Sequence, residues 1–217
     1  MKTRWRKLLS CLFPLLLILV CAVPEAEAAQ GDQMNQHTFQ TAMRKLWEDH
    51  GTWTRLYIVS ALGDLPDKGS AAERLLQNQV DIGNAIKPFY GNPAGEKLTA
   101  LLKDHILIAV DVVSAAKAGD QAKLAEANKR WYSNGDDIGA FLAGANPKNW
   151  PAAEMKSMMG KHLSQHLDLI HVMVGARLKE DWAGDVAGYD KYHEHILTMM
   201  ADVLSEGIIR QFPDKFK

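Results

Sequence analysis

The chain has 217 residues, with 25 Lys and Arg against 26 Asp and Glu, 8 His and 2 Cys. Hydrophobic residues make up 47% and charged residues 24%, the balance of a globular protein with enough apolar material for a substantial core. A formal net charge of −1 excludes a nucleic-acid binder held by a broadly basic surface, and also an acidic disordered chain.

The N-terminus reads as a secretory signal. Lys2, Arg4, Arg6 and Lys7 precede the apolar run of residues 8–23, and Ala26-Glu27-Ala28 supplies small residues for cleavage near Ala28. The run is short for a spanning helix, and no later run reaches spanning length, so no stable membrane span is expected after cleavage. Localisation is therefore expected to be exported, periplasmic or extracellular, with residues 29–217 as a single domain. Both cysteines, Cys11 and Cys21, lie in the leader. The mature chain then has no disulfide, no thiolate ligand and no cysteine nucleophile.

From there on the fold class is all-α. Ala, Leu, Met, Lys, Glu and Gln are frequent, no segment alternates with period two, and Gly, Pro and Asn punctuate six helical stretches. The first helix runs from about residue 37 to Gly63-Asp64-Leu65-Pro66. Ser70-Ala71-Ala72-Glu73 is a capping-box sequence that opens the second, which ends near Tyr90-Gly91. Asn92-Pro93 begins the third, with proline where the N–H has no helical partner, and Gly119 ends it. Asp120 caps the fourth, which ends at Gly144. After the break at residues 145–151, a fifth helix runs to about Glu180 and a sixth from about Trp182 to Phe212.

Three histidines recur: His50, His105 and His162, separated by 55 and 57 residues. In the following helices Asp81, Asp137 and His193 recur at a spacing of 56, and Asn78, Asn134 and Asp190 stand three residues before them. The segments Asn78-Gln-Val-Asp81-Ile-Gly83 and Asn134-Gly-Asp-Asp137-Ile-Gly139 match closely. This pattern predicts three tandem antiparallel hairpins, at about 37–91, 92–144 and 150–212, repeating every 56 residues or so. The third unit departs from the others by carrying His193 where they carry Asp.

Each of the three histidines lies on an apolar stripe. If the hairpins share an axis, His50, Asp81, His105, Asp137, His162 and His193 converge as imidazole and carboxylate ligands for a transition metal. Asn78, Asn134, Asp190 and His166 are placed to support or extend that ligand set. With nitrogen and oxygen donors and no thiolate, Fe, Mn, Zn or Cu is the implied metal. The alternative is a non-catalytic binding or interaction module whose buried His/Asp network only fixes hairpin register. A transferase or hydrolase is the weakest reading, since no nucleotide-binding or nucleophile motif is present and no catalytic residue is assigned. Met155, Met158, Met159, Met173, Met199 and Met200, and Trp47, Trp53 and Trp131, read as core filling. His37, His171 and His195 read as polar-face residues, and Arg55 as solvated. The sequence does not identify a protein partner.

The segments LWEDHGTWTR, RLLQNQVDIGNAIKPFYG, KLTALLKDHI, NKRWYSNGDDIGAFLAGANPKNW, YDKYHEHILTMMADVLSEGII and QFPDKF span nearly the whole mature chain. Through them it resembles a family of small exported helical bacterial proteins without an established activity. Members of that family are sometimes catalogued as glycosyltransferases or acetylglutamate kinases, activities that normally use nucleotide-binding α/β folds.

Overall fold

The structure is a computed structural model that describes residues 34–217; the leader and its cysteines lie outside the described residues. Helix α1 covers Gln36–Leu62, α2 Lys68–Tyr90, α3 Asn92–Ala118, α4 Gln121–Ala145 and α5 Ala152–Leu178. Helix α6, Trp182–Ile196, passes without a break into a π-helical turn, Leu197–Asp202, and then into α7, Val203–Gln211. Together these last three form the sixth rod of an all-α bundle. Among the described residues there is no strand, only an isolated backbone bridge between Met34 and Phe216.

The connections are short, so sequential helices lie antiparallel. Each packs on the next, and the last rod returns to α1. Helices α1, α3 and α5 also touch one another, so these three parallel helices form the inner triangle of the bundle. Their burial confirms it: Met43, Trp47 and Ile58, then Leu98, Ile106 and Val112, then Met159, Ile170 and Met173 are almost fully withdrawn from solvent.

Local chemistry sets the helix ends. Asn35, Asp120 and Asp181 each accept an N–H three residues ahead, from Thr38, Lys123 and Gly184. Gly119 ends α3 in the left-handed conformation (φ 66°), open to glycine at no steric cost. The capping-box reading at Ser70 fails: α2 begins earlier, at Lys68, leaving Ser70 in its first turn. The lysine and glycine before it are sterically free to continue the helix.

The matched Ile-Gly pairs are packing devices. Ile82 and Ile138 are buried. A Cβ on Gly83 would lie 1.9 Å from Thr99 Oγ1 and 2.6 Å from the Gly95 carbonyl, so α2 and α3 cross here at a distance only glycine permits. Gly139 meets Met159 of α5 in the same way, though less tightly, at 3.3 Å. At the far end, Phe39, Phe89, Phe212 and Phe216 cluster with centroids 5.1 to 5.6 Å apart, tying the C-terminus to α1 and α2. Asn146, fully buried in the α4–α5 break, donates to the Gly207 carbonyl at 2.9 Å and holds α7 in place.

Candidate metal centre

The inner triangle carries the histidines. His50 of α1, His105 of α3, and His162 and His166 of α5 are all buried, and His195 of α6 joins them. His166 is the hub. Its ring centroid lies 5.3 Å from His162, 5.7 Å from His105, 6.0 Å from His50 and 6.3 Å from His195. Trp131 at 5.1 Å and Tyr192 at 4.8 Å close the remaining sides. His166 follows His162 by one turn, so both rings leave the same face of α5.

Three of these residues, His162, His166 and His195, can each present one ring nitrogen so that all three atoms lie within 4.8 Å of one another. They are the group among the described residues with a metal-holding geometry. Two bonds of roughly 2.1 Å to a shared ion span at most about 4.2 Å, so nitrogens at the upper end of that range share an ion once the rings close by about half an ångström.

The hydrogen bonds show which nitrogens are free. His195 Nε2 sits 3.1 Å from the His162 carbonyl, which only accepts, so Nε2 carries the proton and Nδ1 is the lone-pair atom. Metal-binding imidazoles are commonly oriented by such an N–H to a backbone carbonyl. His166 Nε2 pairs with the Tyr192 hydroxyl at 3.1 Å, while His166 Nδ1 and His162 Nδ1 are buried without a partner. An orphaned buried polar atom costs about 1–3 kcal/mol, and these two sit in rings one helical turn apart.

Electrostatics keep the nest neutral. Burial pushes His50 down to about 3, helped by the nearby His105 and opposed by Gln79, and pushes His105 down to about 4 against its bond to Asn134. His162 and His166 are lowered well below 6.5, first by burial and then by neighbouring imidazoles, and burial also lowers His195. Five uncharged imidazoles with lone pairs suit a cation, and each additional proton is opposed.

The other two histidines have polar partners within the protein. His105 Nδ1 lies 2.9 Å from Asn134 Oδ1, and the Asn134 amide donates to the Leu101 carbonyl at 3.0 Å. In the hairpin before it, the Asn78 amide donates to the Leu46 carbonyl at 3.0 Å, while the Gln79 amide approaches His50 Nδ1 at 3.3 Å. Asn78 and Asn134 therefore do equivalent work in the first two hairpins. In the third, where Asp190 is exposed, the bond to a carbonyl across the hairpin comes from His195 instead.

Four expected site residues do not reach the nest. Asp81 lies at the surface, accepting from Gln77 at 3.1 Å and facing Arg74 at 3.5 Å. Asp137 and Asp190 are exposed. His193 is half-buried and faces Glu48 at 3.6 Å. The cause is a one-residue error in helix face, about 100° of rotation. The buried stripe of α2 is Leu75, Asn78, Gln79, Ile82, Gly83 and Ile86, and that of α4 follows Trp131, Asn134, Gly135, Ile138, Gly139 and Leu142. Both stripes contain the asparagine and leave the aspartate outside.

On α6 the inward positions are Asp185, Gly188, Tyr192, His195 and Ile196, so His195, expected on a polar face, is the buried one. Gly188 carried the available signal, because a glycine pressed on Met173 marks the contact face. Arg55 is not free in solvent either. With Arg177, which donates at 2.6 Å, it pairs with Asp185, a carboxylate only 1% exposed. Burial raises the Asp185 pKa, but the two guanidiniums outweigh it and the net shift is downward.

No family model matches the chain, and neither does any curated protein or solved structure.

Proposed function

We propose that this is an exported helical-bundle protein that binds a transition-metal ion at His162, His166 and His195. The observation that carries the reading is the pair of partnerless buried nitrogens, His162 Nδ1 and His166 Nδ1, in a group whose three ligand atoms approach within 4.8 Å. Three neutral imidazoles with no thiolate suit Zn or Cu(II), with Fe and Mn as the other candidates, and three protein ligands leave a coordination position for water or another ligand. His105, held by Asn134, and His50, held by Gln79, line the site with further imidazole. The charged n-region, short apolar run and Ala26-Glu27-Ala28 support export, and the resemblance to small exported helical proteins points the same way.

The test is metal content and metal-dependent stability. Protein purified without an affinity tag should carry close to one ion per chain, or take one up with a rise in Tm. His162→Ala and His166→Ala should each abolish uptake, while His50→Ala should retain it. Absence of metal together with an unchanged Tm in Zn, Cu, Fe and Mn would refute the reading.

A second reading is favoured by a different observation. The amides of Asn78, Gln79 and Asn134 bond histidines and carbonyls across the first two hairpins, a buried polar network that fixes helix register. On that reading the protein is a non-catalytic binding module, and the same metal experiment separates the two.

A further inference from the structure

A surface groove of about 360 Å³ lies between α5 and the junction of α6 with the π turn. Gln165 lines it from α5, and Lys191, Glu194, His195, Thr198 and Met199 line it from the sixth rod. His195 therefore belongs to two places at once. It borders the groove, and its ring stacks on His162 at 4.6 Å inside the bundle. On two other sides the hub ring, His166, is covered by the fully buried Trp131 and Tyr192.

The helix is irregular at this point. The π turn begins at Leu197, two residues after His195. Thr198 Oγ1 donates to the Glu194 carbonyl at 2.9 Å and approaches the His195 carbonyl at 3.4 Å. A π turn is a rare departure from the α-helical ladder that is found frequently at functional sites, and a hydroxyl bonded back to these carbonyls slightly destabilises the helix. His195 is thus the ligand that stands next to irregular backbone. The groove wall also carries one carboxylate, Glu194, and one ammonium, Lys191, both exposed and of opposite effect on an approaching cation.

From these features we infer that the groove is the exchange port of the site, through which a hydrated divalent transition-metal ion enters and leaves. Glu194 attracts the ion at the surface and His195 passes it to His162 and His166, with the Met199 thioether beside the path. This rests on the metal-binding reading and adds a route to it.

The experiment follows Co²⁺ loading of metal-free protein by stopped-flow absorbance in the visible ligand-field bands, and release by chase with excess Zn²⁺. Thr198→Trp fills the groove while leaving all three ligand side chains in place. It should slow loading and release together by roughly ten-fold while leaving Kd within about three-fold, because a port sets rates and not equilibrium. Glu194→Gln should slow loading by about three-fold at low salt and Lys191→Gln should speed it by a similar factor. Loading of Thr198→Trp at the wild-type rate overturns the port. If that variant does not fold, identical loading rates for Glu194→Gln, Lys191→Gln and wild type overturn it instead. Failure of the wild type to bind Co²⁺ or Zn²⁺ removes the metal site itself, an outcome distinct from binding through another route.

Discussion

Acid should destabilise this protein well above the range in which carboxylates titrate, and His50 and His105 supply the magnitude. An unfolded histidine titrates near 6.5, whereas burial holds His50 near 3 and His105 near 4 in the folded chain. Between those limits the unfolded state binds protons that the folded state refuses, so stability falls as pH falls. The contribution of each neutral imidazole is present above about 6.5 and is lost as pH drops through that value towards the folded pKa. From pH 7 to pH 5.5 the loss is a little over 1 kcal/mol per residue, or about 2–3 kcal/mol for the pair. His162, His166 and His195 are shifted in the same direction by burial, so they add to the loss. Asp64, Asp120 and Asp185 are all lowered from 3.8, so their effects fall below this window. The assay is urea unfolding in EDTA at pH 7, 6.5, 6 and 5.5, for wild type and for a His50→Gln/His105→Gln variant. The variant should be less stable at pH 7, yet lose about 2–3 kcal/mol less than wild type across the range. Equal pH dependence in the two proteins would refute the claim that these rings are held neutral.

Four further outcomes follow from packing and pairing. Gly83→Ala should cost about 1–3 kcal/mol in urea unfolding, since its Cβ meets the Gly95 carbonyl at 2.6 Å. Gly160→Ala, with nothing within 4 Å of its Cβ, should instead stabilise α5 by about 0.5–1 kcal/mol, and a loss there would mean the helix face is misassigned. Asp185→Asn should lower stability by about 3–5 kcal/mol, because Arg55 and Arg177, both largely buried, then lose their shared carboxylate. Asn134→Ala strips a partner from both His105 and the Leu101 carbonyl, and a cost below about 1 kcal/mol would show that water replaces it.

Much of the architecture could be read from the chain alone. Helix number and order follow from turn residues whose effect is local: Gly119 takes a left-handed cap and Asp120 satisfies a free N–H three residues ahead, whatever lies around them. His50, His105 and His162 were recognisable as inward-facing because apolar neighbours at spacings of three and four mark a helical stripe. What periodicity could not supply was the rotation of α2, α4 and α6 to within one residue. On these helices two adjacent stripes have similar polarity, so periodicity does not separate the face of Asp81 from that of Gln79. The choice is made by contacts between helices, the Gly83–Gly95 crossing and Met173 against Gly188, which have no local signature. The same contacts turn His195 inward and His193 outward. They also bring His166, one turn from His162, to the centre of five rings, since convergence depends on where three parallel helices meet and not on the spacing along any one of them.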